Sequence, residues 1–292
     1  MSNLQLRLAS TAVLLPTIIA CFAAGGWWAR GLALVAAGAS FFEFGAVVAK
    51  GDWLARLLLL VMGLFVTWAG IVTTDALVFI MAIQLAFVLL ASLFVLRPGA
   101  DLQVAFRSMG LLVFSLLWIT PGMISLGRLR DLGDTVVERS ASLGTSYPAA
   151  AAACFLLVAM VGTWSNDTTA YFAGRFLGKH KMAGAISPKK TWEGFVGGMF
   201  GPPVFLFAGR AIFPDTFAPL STTDVIILSI PMTFLGPIGD LCESLWKRAY
   251  DVKDSGNLIP GHGGMLDRVD AVFFVAPWVL AYFVIVKPML LG

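Results

Sequence analysis

The chain has 292 residues, 59% of them hydrophobic and only 13% charged, with a formal net charge of +3. A soluble domain carries roughly 25% charged residues, so the composition excludes a soluble globular fold and reads as an all-α polytopic membrane protein. The modest positive charge, without a basic stripe interleaved with aromatics, excludes a nucleic-acid binder and fits a basic face turned toward anionic lipid headgroups.

A helix needs about 20 apolar residues to cross the hydrocarbon core. About nine spans are predicted, at 8–24, 31–49, 54–72, 76–96, 109–127, 148–173, 194–213, 224–246 and 269–291. The first follows Arg7 and contains Ile18-Ile19-Ala20-Cys21, which loosely resembles a lipoprotein cleavage box. The many spans behind it make it an uncleaved transmembrane helix instead. In the second span, Glu43 follows Phe41 and Phe42 and is expected to face protein rather than lipid. A structural or oligomer-interface role and a substrate role both stay open for it. Asp75 ends a helix at the outer face. The segment 128–147, with Arg128, Arg130 and Arg139 beside Asp131, Asp134 and Glu138, reads as a loop. The sixth span is clean to Trp164 and then meets Ser165, Asn166, Asp167, Thr168 and Thr169. The eighth holds Pro231, Gly236, Pro237 and Gly239, which predicts a kink or break. Cys21, Cys154 and Cys242 lie far apart in apolar segments and form no CxxC pair, so buried free thiols are expected.

Lysine and arginine bias sets orientation. With the N-terminus in the cytoplasm, fourteen of these residues fall inside and six outside. Nine spans then leave the C-terminus outside. Residues 1–147 read as a transmembrane scaffold that faces lipid or a second copy, and 148–292 as the catalytic region. Two charged blocks, 165–193 and 240–270, fall on the cytoplasmic face, where soluble phosphate-bearing substrates are.

The second block is the denser one. Residues 244–270 place Lys247, Arg248, Asp251, Lys253, Asp254, His262, Asp267, Arg268 and Asp270 between apolar spans, and charge at membrane depth marks a site. Helical spacing puts Asp240, Glu243, Ser244 and Lys247 on one face. Gly256, Pro260, Gly261, Gly263 and Gly264 make a loop whose backbone can approach a ligand closely. With Lys253, His262 and Arg268 beside it, that loop suits phosphate. Asp267 and Asp270 sit three apart at the start of the last span. A first-turn capping role would explain one of them. The pair, with Asp240 on the preceding span, looks more like a Mg²⁺ site. In the first block, Asn166 and Asp167 with Ala170 and Gly174 fall on or near one helical face. Ser187-Pro-Lys-Lys-Thr191 reads as a basic turn before a helix that Ser187 or Thr191 caps.

Ser244, Lys247-Arg248, Lys253-Asp254, Pro260, His262-Gly-Gly264, Asp267-Arg268 and Asp270 match, spacing included, the signature of the phosphatidate cytidylyltransferases, or CDP-diacylglycerol synthases. Asn166-Asp-Thr168, Gly174-Arg175, Gly178-Lys179 and Ser187-Pro-Lys-Lys-Thr-Trp-Glu-Gly194 resemble that family's other block. The resemblance is strong over roughly 160–291. Before residue 140 it rests on apolar spans alone.

The resemblance implies conversion of CTP and phosphatidic acid to CDP-diacylglycerol and pyrophosphate, by a homodimer in the bacterial inner membrane with its site facing the cytoplasm. By match of position it assigns Asp240 and Asp267 to a catalytic divalent metal, with Asp270 as a third ligand or a supporting partner. Whether a monovalent cation joins the Mg²⁺ is left open. Lys247, Arg248, Lys253, His262 and Arg268 become candidates for phosphate contacts. Asn166, Asp167, Lys189, Lys190 and Thr191 become candidates for nucleotide or lipid-phosphate binding, with Ser244 beside them. A CTP-dependent lipid kinase would use the same groups but release CDP, and an ion-coupled transporter would use the acids as a cation path.

Overall fold

The computed structural model describes residues 3–97, 101–142, 144 and 146–287. Its helices, in order, are α1 (Asn3–Ala24), α2 (Gly26–Val48), α3 (Trp53–Val72), α4 (Ala76–Val95), α5 (Leu102–Ser142), α6 (Cys154–Leu177), α7 (Trp192–Gly198), α8 (Gly201–Ile212), α9 (Thr222–Ala249), α10 (Leu266–Val269) and α11 (Val272–Ala281). A 3-10 turn, Ala149–Ala153, leads into α6, and a π-helical turn, Tyr282–Val286, ends α11. Among the described residues, eight helical stretches are long and apolar enough to cross a membrane, with α7 and α8 counting together as Trp192–Ile212. The predicted ninth span is a shorter apolar helix over Val272–Val286. Its predicted end, 288–291, lies outside the described residues.

Side chains start the helices where polar residues interrupt the apolar runs. Asp52 caps α3 through the Ala55 amide, and Asp75 caps α4 through the Leu77 and Val78 amides. Ser221 and Asp224 form a reciprocal capping box at α9. Burial alone would raise the Asp52 carboxyl. The Ala55 amide and Arg97 more than offset that and hold it below its ordinary value.

Two expectations are corrected. The segment 128–147 is not a loop throughout: α5 runs on to Ser142, 41 residues in all. At 1.5 Å per residue that is about 60 Å, roughly twice the hydrocarbon thickness. The helix survives its charges because they are paired. Arg30 meets Asp131 at 3.1 Å, Arg130 pairs with Asp134, and Arg128 Nε donates to Gly70 O at 2.7 Å. Arg130 is only 5% exposed and also donates to Phe22 O at the end of α1.

The second correction concerns Ser187–Thr191. It is a strand, β2, paired antiparallel with β1 (Lys181–Ala183), so the basic turn is one arm of a small hairpin. α9 is not broken at its prolines. Pro237 has no N–H to give Thr233 O, four residues back, and the Asn166 amide lies 3.5 Å from that carbonyl instead.

An aromatic cluster ties α2, α5, α9 and α11 together. Phe44 stacks on Trp246 with centroids 4.8 Å apart, and Trp118 packs edge-on to Trp246 and Phe273. Small residues allow the closest crossings: a Cβ at Gly122 would fall 2.6 Å from the Phe273 backbone. None of α1's apolar stretch is buried, and α4 exposes most of its length. All three cysteines are free, Cys154 fully buried and the other two half-buried.

Candidate active site

Two charged clusters lie at one end of the bundle. The first is built on α9 and the loop that follows it. Lys247 sits one turn beyond Glu243, so their side chains meet at 2.6 Å. The same ammonium reaches Asp267 Oδ1 at 2.7 Å across the loop. The other oxygen of Asp267 accepts the Ser255 amide at 3.0 Å, the Ser255 hydroxyl at 3.0 Å and the Gly264 amide at 2.9 Å. Burial alone would raise the Asp267 carboxyl, but Lys247 and the Gly264 amide hold it below its ordinary value. Asp267 is therefore a fixed anion at neutral pH.

The second cluster joins α6, the hairpin and α9. Lys190 Nζ lies 2.7 Å from Asp240 Oδ2 and 3.4 Å from Pro237 O. Ser244 donates to Asp240 Oδ1 at 3.3 Å. Asn166, 1% exposed, donates to Gly198 O, while its Oδ1 has no hydrogen-bond partner among the described residues. Asn166, Lys190, Pro237 and Asp240 line a cavity of about 510 Å³ whose wall also includes Asp167 and Lys189. That size suits a small-molecule ligand.

The hairpin is held over α7 by local chemistry. Thr191 caps α7 through the Gly194 amide, so its hydroxyl serves the helix start. Glu193 accepts the Lys179 and His180 amides and meets His180 Nδ1 at 2.5 Å. Arg248 reaches across from the end of α9 to Ile186 O at 3.4 Å.

The remaining predicted residues separate by place. Lys189 and Lys253 are exposed. Arg268 donates to His262 O at 2.7 Å, bracing its own loop. His262 Nδ1 lies 2.9 Å from the Ser10 hydroxyl of α1, and Arg7 Nε donates to Gly261 O at 2.8 Å. The glycines of this loop divide their work. Gly261 and Gly263 adopt φ of +77° and +85°, which L side chains rarely take. Gly256 and Gly264 instead make room for Glu43, whose carboxylate a Cβ at either position would meet within 2.6 Å. Glu43 is the site residue that the sequence leaves undecided, because nothing local shows its partners to lie some 220 residues downstream.

The predicted set Asp240, Asp267 and Asp270 is not gathered into one cluster. Among the described residues, no group of three or more His, Cys, Asp or Glu is placed to hold a metal ion. Asp267 is occupied by Lys247 and the loop, and Asp270 Oδ1 accepts the Ala271 amide at 2.8 Å. Asp240 faces the cavity. Mg²⁺ commonly binds one or two carboxylates together with phosphates and water. The residues present fit an ion shared with a phosphate ligand better than one caged by protein alone.

The phosphatidate cytidylyltransferase of Bacillus subtilis (strain 168) is 44% identical over 125 residues, covering 42% of this chain and 45% of the relative. That of Staphylococcus saprophyticus is 45% identical over 123 residues, covering 42% and 46%. That of Haemophilus influenzae is 42% identical over 129 residues, covering 44% of each. The aligned part is thus less than half the length of these relatives. The sequence profile of the Cytidylyltransferase family matches residues 5–286, nearly the whole chain, and the chain belongs to that family.

Proposed function

We propose that the chain transfers the cytidylyl group of CTP to phosphatidic acid, giving CDP-diacylglycerol and pyrophosphate. The observation that carries this reading is the cavity walled by Lys189, Lys190, Asp167 and Asp240 at the charged end of apolar helices. It places cations and a carboxylate where a water-soluble anion and a lipid headgroup can meet. The names of the bacterial relatives support the same chemistry.

The lipid phosphate is already ionised at neutral pH, so attack on the α-phosphorus needs little general-base help. The difficulty is bringing two anions together and stabilising charge on the leaving pyrophosphate. Lys190 and Lys189 supply positive charge at the cavity wall, and Asn166 offers a buried unpaired acceptor at its edge. Lys247 is held between Glu243 and Asp267, ready to face phosphate oxygens. Arg248, Lys253, His262 and Arg268 are further phosphate contacts in this proposal. Ser244 positions Asp240. Asp240, which faces the cavity, is the proposed protein ligand of Mg²⁺; the ion would be shared with the nucleotide phosphates and would lower their charge, while Asp267 holds Lys247.

The proposed orientation puts this end in the cytoplasm and the protein in the bacterial inner membrane, as a homodimer. Each salt bridge among the described residues joins two residues that the charge bias assigns to the same side, which supports the division into two faces; the lysine and arginine bias alone makes this end the cytoplasmic one.

The test is CTP- and phosphatidate-dependent pyrophosphate release by purified protein, with and without Mg²⁺, using CTP labelled in the base. Label in the lipid is the expected result. Release of CDP without label in the lipid would replace this reading with a lipid kinase.

A further inference from the structure

We infer that Glu43 is a positioning residue for the reaction: from α2 it fixes the Ser255–Leu266 loop and, through Ser255, sets Asp267. The inference rests on the proposed cytidylyl transfer only for its kinetic readout.

Glu43 is 2% exposed, within an apolar helix. A carboxylate buried there is costly unless its oxygens are bonded. Both oxygens are. Oε1 accepts the Met265 amide at 2.9 Å. Oε2 accepts the Leu266 amide at 2.9 Å and the Ser255 hydroxyl at 3.0 Å. All three partners are donors, and two of them are backbone groups that cannot turn away. A side chain that accepts at both oxygens satisfies the set. A glutamine would aim its NH₂ at one of the donors.

The loop is built around this carboxylate. A Cβ at Gly256 would lie 2.6 Å from Glu43 Oε1, and one at Gly264 would lie 2.5 Å from Oε2 and 2.0 Å from Ser255 Oγ. Two of the loop's glycines therefore serve a side chain of α2 instead of a ligand. Ser255 is the link onward. Its hydroxyl oxygen lies 3.0 Å from both Glu43 Oε2 and Asp267 Oδ2, so its single proton is shared between, or alternates between, the two carboxylates. Glu43 thus fixes the rotor that bonds Asp267, and the Gly264 amide that bonds Asp267 belongs to the same pinned segment. Phe44, the next residue, stacks on Trp246 beside Lys247. The pin and the Lys247–Asp267 pair share one support.

The experiment is steady-state kinetics on Glu43→Gln, Glu43→Asp and Ser255→Ala, with hydrogen exchange measured over residues 255–266. Glu43→Gln is expected to lower kcat roughly 10- to 100-fold, the range for groups that orient a working carboxylate. KM for CTP should stay within about threefold, because the cavity residues bind no part of Glu43. Glu43→Asp, still a pure acceptor, should recover part of kcat. Exchange in Glu43→Gln should rise at 255–266 and not elsewhere. A residue with only a structural role would lower the melting temperature and the folded fraction, leaving kcat per folded molecule unchanged; that result overturns the inference. Unchanged exchange over 255–266 overturns it as well. If Glu43→Gln does not fold, Ser255→Ala decides: it removes one hydroxyl, and wild-type kcat there breaks the proposed link. If the wild-type protein transfers no cytidylyl group, the proposed function fails, and the exchange measurement still judges the pin.

Discussion

Asp267 is the best-held charge of the site, with one cation and three loop donors on its two oxygens. Its folded pKa lies below its ordinary value. A depressed carboxyl contributes stability that is fully present above its unfolded pKa of about 3.9 and is lost as pH falls through the folded value. The melting temperature of Asp267→Asn should therefore fall below wild type from pH 8 to about 4, and the gap should close in stronger acid. The same variant should lose at least roughly 100-fold in transfer activity, since one of the two carboxylates that hold Lys247 is gone. A gap that opens between pH 5 and 7 would mean that some other group sets acid stability. The sequence shows Asp267 and Lys247 as site candidates by charge density alone. Their ion pair is hidden because they lie 20 positions apart, across the loop that follows α9.

At the scale of elements, the spans are legible because apolar length dictates them, and Asp75 reads correctly as a helix boundary. The errors come from charges that stop looking like loop once they are paired. Arg128, Arg130, Asp131 and Asp134 continue α5 because their partners come from α1, α2 and α3 or lie one turn away. The hairpin was hidden for a different reason: Ser187-Pro188-Lys189-Lys190-Thr191 has no apolar alternation, and Arg248 helps to hold its turn from another element. Trp246 stacks on Phe44 and packs edge-on to Trp118 in the cluster that joins α2, α5, α9 and α11, so Trp246→Ala should destabilise the protein by about 3 kcal/mol. Denaturant titration in detergent micelles checks this. A loss under about 1 kcal/mol would show that the stack with Phe44 contributes little.

Across the whole molecule, polar groups collect at the two ends of an apolar bundle. One end holds the Arg30, Arg130 and Asp224 pairs, and the other holds the cavity and the Lys247–Asp267 cluster. With the proposed orientation, Lys253→Cys should react with an impermeant thiol reagent only when the cytoplasmic face is open, and Asp75→Cys only from the opposite face. Both positions are exposed. Reversed labelling would overturn the orientation and leave the fold untouched.

The hydrogen bonds of Glu43 also say something about the order in which this protein comes into being. Leu266, one of its donors, lies 223 positions later in the chain. At roughly 5–20 residues per second, the growing chain carries this carboxylate for about 10–45 s before its partners leave the ribosome. During that interval α2 holds an unsatisfied acid at membrane depth. Its earliest relief is to linger near the lipid headgroups. A loop made late is then the one that lets the second helix settle, and a chain halted short of it would hold most of the described spans without a working centre.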